Sequence, residues 1–193
     1  MRICIYGAAS PLIDAKYIEG VEALGRRLAE RGHSLVFGGG GNGLMGAAAR
    51  GVREKGGKIL GVVPKFFIEE GVEAICDFCD TLITPDTMRE RKQIMEDNAD
   101  AFIVMPGGIG TFEEYFEILT ASQLCLHNKP IGVFNIDGYY DDLCRFLDKT
   151  VEEKFVNKNT LSLHRVSSDI EELLDYIEAP NTEHASVKEL KDG

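Results

Sequence analysis

An excess of basic charge is the first thing this sequence lacks. Its 193 residues carry 21 Lys and Arg against 32 Asp and Glu, a formal charge of −11. Proteins that bind nucleic acid generally use a basic face to displace phosphate counterions, so no nucleic-acid partner is expected. Long hydrophobic runs are missing too. No uninterrupted apolar stretch approaches the length of a bilayer span, and no membrane partner is expected. The opening Met-Arg-Ile-Cys-Ile-Tyr-Gly is too short an apolar run for an export signal, so a cytoplasmic protein is expected.

The cysteines do not form a framework. Cys4, Cys76, Cys79, Cys125 and Cys144 are an odd number spread through apolar segments, which reads as reduced, mostly buried thiols. Cys76 and Cys79 form a CxxC. No second pair or nearby histidine completes a zinc site, and no strand-to-helix junction there supports redox chemistry. A His-Glu-x-x-His motif, a cysteine tetrad and an acidic calcium loop are all absent, so neither a metal nor a cofactor is expected. His33, His127, His164 and His184 stand apart from one another and fit ordinary surface or packing roles. No G-x-S-x-G elbow presents a serine nucleophile.

What remains is ordinary in composition and regular in pattern. Hydrophobic residues make up 44% and charged residues 27%, as in a soluble globular domain. Strand-like and helix-like segments alternate almost without pause. Strands are predicted at Arg2–Tyr6, Ser34–Phe37, Lys58–Val63, Thr81–Thr84, Ala101–Met105, Ile131–Asn135 and near Ser162–Val166. Helices are predicted over Asp14–Arg31, Leu44–Lys55, from Pro85 to about Asn98 with Thr84 as cap, Phe112–His127, Tyr139–Phe155 and Ile170–Ile177. Residues 65–78 read as a short helix and a loop. This alternation predicts an α/β chain: a single Rossmann-like domain over residues 1–180, with a mostly parallel sheet and helices on both faces. Residues 181–193 are a polar C-terminal tail, expected to be loosely held. In such folds ligands sit beyond the carboxyl ends of the strands, so the loops at 7–13, 38–43, 84–87 and 106–111 are where function is expected.

Three motifs fall on those loops. Ala101–Phe116 reads as a buried strand, a glycine-rich bend and a helix. Gly107, Gly108 and Gly110 let a ligand approach backbone N–H groups at the positive end of the helix dipole, and Thr111 adds a hydroxyl. Of the two carboxylates that follow, Glu114 shares a helical face with Ile118, Ala121 and Cys125, whereas Glu113 aligns with Glu117 and Thr120. A carboxylate on a packed face is the better catalytic candidate, because desolvation and neighbours tune it. The run Gly38–Gly41 with Gly43 contains G-x-G-x-x-G, yet it follows the second strand and lacks the acidic residue a dinucleotide site needs. It is not a P-loop either, since Leu44 follows where lysine should stand. Finally, Met88-Arg89-Glu90-Arg91-Lys92 places Arg91 on the stripe of Met88 and Met95. A guanidinium there needs either a buried carboxylate or an anionic ligand.

Arg91-Lys92 together with Pro106-Gly107-Gly108-Ile109-Gly110-Thr111-Phe112-Glu113-Glu114 resembles the PGGxGTxxE signature of the Lonely Guy family. Those proteins are cytokinin riboside 5′-monophosphate phosphoribohydrolases, often labelled lysine decarboxylases. The resemblance extends to Gly7–Ser10 and to Gly39–Gly46, and covers about residues 2–178. It implies hydrolysis of the N-glycosidic bond of a nucleoside 5′-monophosphate, with release of the base and ribose 5-phosphate. It implies Arg91 and Glu114 as the catalytic pair, and Gly107, Gly108, Gly110 and Thr111 as the 5′-phosphate site. Met88 and Lys92 are implied as lining the nucleotide pocket, with Ser10, Gly41 and Asn42 as further substrate contacts. It also implies a homodimer. Two departures are visible: Arg89 stands where the family usually has histidine, and Ala8-Ala9-Ser10 where serines are commoner. The alternative from a different class is a non-catalytic carrier of a nucleotide or phosphorylated cofactor, which has no need of an Arg91–Glu114 pair.

Overall fold

Seven short strands lie side by side in one sheet in the computed structural model, which describes residues 1–180 and 186–191. They are β1 (Arg2–Tyr6), β2 (Ser34–Phe37), β3 (Ile59–Val62), β4 (Thr81–Ile83), β5 (Ala101–Val104), β6 (Ile131–Phe134) and β7 (His164–Ser167). Their order is β4-β3-β2-β1-β5-β6-β7, and every neighbouring pair is parallel. The chain lays β1 to β4 out to one side, then returns to start β5 on the other side of β1. That reversal makes the gap beyond the carboxyl ends of β1 and β5 the switch point, where doubly wound sheets hold their ligands.

Alternation along the strands decides which helices cover which face. Ile3, Ile5, Leu35, Phe37 and Ile59 pack in one core with α1 (Ala15–Glu30), α2 (Gly43–Glu54) and α7 (Ile170–Glu178). Cys4, Tyr6, Val36, Val62, Phe102 and Val104 face the other way, toward α4 (Met88–Asp97), α5 (Ile109–Gln123) and α6 (Asp141–Glu152). The four residues of β5 and of β6 are all buried, the unbroken apolar run expected of strands covered on both faces. A short α3 (Lys65–Glu69) follows β3, and α8 (Val187–Lys191) closes the described chain. No described helix is long and apolar enough to cross a membrane.

The alternation read from the sequence is present, with shifted boundaries. The helix assigned to begin at Pro85 under a Thr84 cap begins instead at Met88 under Thr87. Thr87 accepts from Glu90 N, and the Glu90 carboxylate accepts from Thr87 N in return, a capping box that outcompetes the proline signal. Pro85 sits in the preceding turn, where its carbonyl accepts from Lys65 N. The strand expected near 162–166 starts later, because Lys158–Leu163 forms a 3₁₀ helix first. The tail expected to be loose is partly ordered. Leu190 of α8 is buried, Asn159 Nδ2 donates to the Glu189 carbonyl and Thr160 Oγ1 to the Leu190 carbonyl. Residues 181–185, with His184 among them, and 192–193 lie outside the described residues.

Candidate active site

The bend after β5 sits at the switch point. Met105 N donates to the Tyr6 carbonyl and Ala8 N to the Pro106 carbonyl, which ties this bend to the loop after β1. Helix α5 begins at Ile109, three residues earlier than its apolar pattern suggests, with Gly108 as the residue before it. Its first backbone bond runs from Phe112 N to the Gly108 carbonyl, so the amides of Ile109, Gly110 and Thr111 point out of the helix end. A side chain at Gly108 or Gly110 would meet nothing within 4 Å, so that end is open to a ligand. Gly107 differs: a Cβ there would overlap the Thr111 hydroxyl, which therefore lies against the backbone of the bend. The Tyr139 hydroxyl donates to the Gly107 carbonyl and the Tyr140 hydroxyl to the Met105 carbonyl, both at 2.6 Å. These two tyrosines fix the cradle from the loop after β6.

Arg91 enters from the other side. Its Nε donates to the Val62 carbonyl at the end of β3 (3.2 Å), and its Nη1 donates to Glu114 Oε1 on the first turns of α5 (3.0 Å). The guanidinium crosses the glycine run that follows β2. A Cβ on Gly38 would overlap Arg91 Nη2, so a residue with a side chain there would push the guanidinium aside. This gives the run a purpose beyond a turn. The two possible partners for Arg91 thus resolve to a carboxylate, and that carboxylate is Glu114.

The pair is nearly dry, with side chains 6% and 12% exposed. Burial therefore governs Glu114 and lifts its pKa from 4.5 to about 7, although the charge and hydrogen bond of Arg91 pull the other way. Desolvation thus overrides the pull of the paired arginine. Near neutral pH Glu114 exchanges its proton readily, as a general base or acid must. Glu113, with a side chain 55% exposed, is ion-paired to Lys92 Nζ at 2.5 Å. Lys92 is also paired to Glu117, and these carboxylates hold its pKa above the ordinary value against the opposing effect of burial. Its charge is committed to α5.

The remaining residues anticipated for the site flank this centre. Met88 is partly exposed at the start of α4, one turn before Arg91. Ser10 is exposed in the loop after β1, its hydroxyl accepting from Leu12 N. Asn42 caps α2 without a side-chain capping bond, and Gly41 precedes it. All three loops lie beyond the carboxyl ends of their strands. Sequence reasoning missed three residues here: Tyr139 and Tyr140, and Glu73 in the segment left between helix and loop. The tyrosine pair at a strand-to-helix loop was a usable signal. For Glu73 nothing local marked it. The large groove of about 920 Å³ beneath α8 lies at the opposite edge, lined by residues such as His127, Lys129 and Leu163 that precede β6 and β7.

Comparison with known proteins identifies a family for the chain. A family model described as possible lysine decarboxylase matches residues 45–177, spanning α2 to α7. A cytokinin riboside 5′-monophosphate phosphoribohydrolase of Arabidopsis thaliana is 39% identical over 92% of this chain and 82% of its own length. A second from the same plant is 37% identical over 96% of this chain and 86% of its own. A probable enzyme of that name from Oryza sativa subsp. japonica is 44% identical over 81% of this chain, though the match spans only 63% of that longer protein. Among solved structures, the molybdenum cofactor binding protein of Rippkaea orientalis superposes with a TM-score of 0.69 at 20% identity, covering 92% of this chain and 94% of its own. The molybdenum cofactor carrier protein of Chlamydomonas reinhardtii gives 0.65 at 23% identity, covering 90% and 98%. At such identity these structures speak for the fold alone.

Proposed function

The chain belongs to the Lonely Guy family, described by the possible lysine decarboxylase model, and from that premise we propose that it hydrolyses the N-glycosidic bond of a nucleoside 5′-monophosphate. The products are the free base and ribose 5-phosphate, and the candidate substrates are AMP and cytokinin riboside 5′-monophosphates. One observation carries the reading: a buried Arg91–Glu114 pair stands beside an open, glycine-lined helix N-terminus.

The chemistry follows from that juxtaposition. The 5′-phosphate binds the amides of Ile109, Gly110 and Thr111, where backbone dipoles favour a dianion even on an acidic protein. This anchoring holds C1′ of the ribose against Glu114, turning remote binding energy into position. As the C1′–N bond breaks, its electron pair leaves with the base and positive charge builds on the sugar. The Glu114 carboxylate stabilises that charge and accepts a proton from the water whose oxygen attacks C1′. Arg91 fixes the orientation of the carboxylate and, fully charged, neutralises it once ionised. Met88, Ser10, Gly41 and Asn42 line the remainder of the nucleotide path.

The protein acts in this reading as a cytoplasmic homodimer. The face carrying α4 to α6 supports the second part: α6 has no fully buried residue, Phe146 is 61% exposed, and Phe116 of α5 is 38% exposed. Light scattering after size exclusion is expected to return twice the chain mass. A monomer removes the dimer without touching the chemistry.

The activity is tested by incubating the protein with a panel of 5′-monophosphates and resolving base and ribose 5-phosphate by chromatography. Release that collapses in Arg91→Ala and in Glu114→Ala is the expected result. Tight nucleotide binding with no product over hours returns the protein to the carrier class, and free phosphate in place of ribose phosphate makes it a phosphatase.

A further inference from the structure

Glu73 is a carboxylate that the mechanism above leaves unused. It belongs to the segment after α3, which is docked on the glycine run by an antiparallel bridge between Gly40 and Ile75. Gly41 N donates to the Ala74 carbonyl at 2.7 Å and Cys76 N to the Gly39 carbonyl at 2.8 Å. These bonds anchor the three residues that follow Glu73 to the glycine run and so bring Glu73 beside it. A methyl group placed on Gly40 would lie 3.5 Å from Glu73 Oε2, while one on Gly38 would overlap Arg91 Nη2. Glu73 and Arg91, the partner of Glu114, therefore lie against the same glycine run. Glu73 is half-buried and, among the described residues, has no hydrogen-bond or ion-pair partner.

Position along the substrate follows from the strand order. The phosphate cradle lies between β1 and β5, and Glu114 stands on the first turns of α5. The glycine run follows β2, one strand further across the sheet. A nucleotide with its phosphate in the cradle and its glycosidic bond at Glu114 extends its base over β1 toward that run. We infer that Glu73 is the catalytic acid of this site, donating the proton that the departing base needs. The inference rests on the glycosidase reading of the site. The step balances with groups already present. The C1′–N electron pair goes to the base, whose ring nitrogen takes the Glu73 proton. Water oxygen bonds to C1′ and its proton goes to Glu114. Exchange with solvent then restores both carboxyls.

The environment suits an acid. Burial raises the Glu73 pKa above the ordinary carboxyl value, opposed by the positive charge of Arg91. Among the described residues, Arg91 from α4 is the charged group that acts on it. The glycine run offers only backbone, and the neighbouring α2 side chain is Met45, whose methyl approaches the Gly40 Cβ position to 2.7 Å. Two carboxyls of unlike surroundings flanking one bond is the arrangement by which glycosidases separate acid from base.

The test is Glu73→Gln in the full-length protein, assayed on the 5′-monophosphate cleaved fastest and on a 7-methylpurine 5′-monophosphate. The latter base carries a positive charge and leaves neutral, so it needs no proton. The expected result is a loss of about 10²-fold or more in kcat on the ordinary purine. On the methylated purine the loss stays within about threefold. Equal losses on both substrates, no loss on either, or a raised KM with kcat intact overturns the assignment and leaves the glycosidase reading standing. A wild-type protein that releases no base overturns both. Thermal melting establishes that the variant is folded; should it not be, Glu73→Asp must lower kcat on the ordinary purine more than on the methylated one, and the absence of that contrast is likewise fatal.

Discussion

Two arginine–glutamate clusters in this protein use the same chemical groups to opposite ends. On the surface between α1 and α7, Arg27 and Arg31 grip Glu171, with Asp175 and Glu178 completing the network. There the Glu171 side chain is 50% exposed, and hydrogen bonds from Arg27 and then Arg31 lower its pKa to about 2. At the carboxyl edge of the sheet, Arg91 holds Glu114 at 3.0 Å, yet the Glu114 pKa rises to about 7. The difference is water. Solvent and two arginines support the Glu171 charge, so pairing dominates. Glu114 has one arginine and almost no solvent, so desolvation dominates. The first cluster staples two helices. The second holds a carboxylate near its midpoint at neutral pH, which is a functional arrangement at a cost in stability.

Removing either member of the buried pair is the strongest way to break this contrast. Glu114→Ala and Arg91→Ala are each expected to lower kcat for nucleotide hydrolysis by ~10³-fold, and the double variant by little more, because the two act as a unit. Kinetics on the single and double variants check both points. In the wild type, the acid limb of kcat is expected near pH 7, the value to which burial carries Glu114. A kcat profile flat from pH 5 to 8 removes Glu114 as the titrating base. The substrate phosphate also ionises near pH 6, so the limb belongs in kcat rather than kcat/KM.

A smaller loss is expected when the pair is kept and displaced. A Cβ on Gly38 overlaps Arg91 Nη2, so Gly38→Ala moves the guanidinium while leaving both charges in place. A misplacement of that order costs roughly 10²-fold in rate. The same substitution at Gly108, where a Cβ meets nothing within 4 Å, is expected to leave melting unchanged and to weaken nucleotide binding only.

This pair of glycines also marks how far the sequence could be read. Alternating strands and helices, the doubly covered parallel sheet and the loops that carry the site were all legible, because they depend on periodicity and chain direction. So was the packed position of Glu114 against the wetter one of Glu113, which one helical wheel decides. The glycine run was visible, and what it is not could be read, but its reason, the passage of Arg91, needs the distance between α4 and β2. Glu73 was illegible because its position comes from a single bridge between segments 35 residues apart in sequence, Gly40 and Ile75. The start of α4 was misread for a local reason: the Thr87–Glu90 capping box lay two residues beyond a proline that gave the louder signal.

Stability offers the next test, with opposite signs for the two clusters. Glu114 has a folded pKa of about 7 against 4.5 for an exposed carboxyl. The folded chain therefore holds an extra proton between those values, and its stability falls as pH rises through that window. Gln at 114 cannot ionise, and its carbonyl still accepts from Arg91. Glu114→Gln is thus expected to match the wild type at pH 5 and to exceed it at pH 8 by on the order of 1–3 kcal/mol, read from urea unfolding at each pH. An inactive variant more stable than its parent is what a catalytic carboxylate predicts. Lower stability at pH 8 means instead that the ion pair is structural.

The smallest effect belongs to Glu171→Gln. Its folded pKa lies below the unfolded one, so its contribution is complete above pH 4.5 and is lost only as the pH falls toward 2. Near neutrality the charge is fully present, yet water and salt screen it, and Arg31 keeps Asp175 and Glu178 as partners. Melting is therefore expected to fall only slightly, by an amount that shrinks further in high salt, with hydrolysis untouched. If this exposed substitution moved the melting temperature at pH 8 more than Glu114→Gln does, solvent access would not be what separates the clusters. The number of arginine contacts would then have to be, since Glu171 has two arginine partners where Glu114 has one.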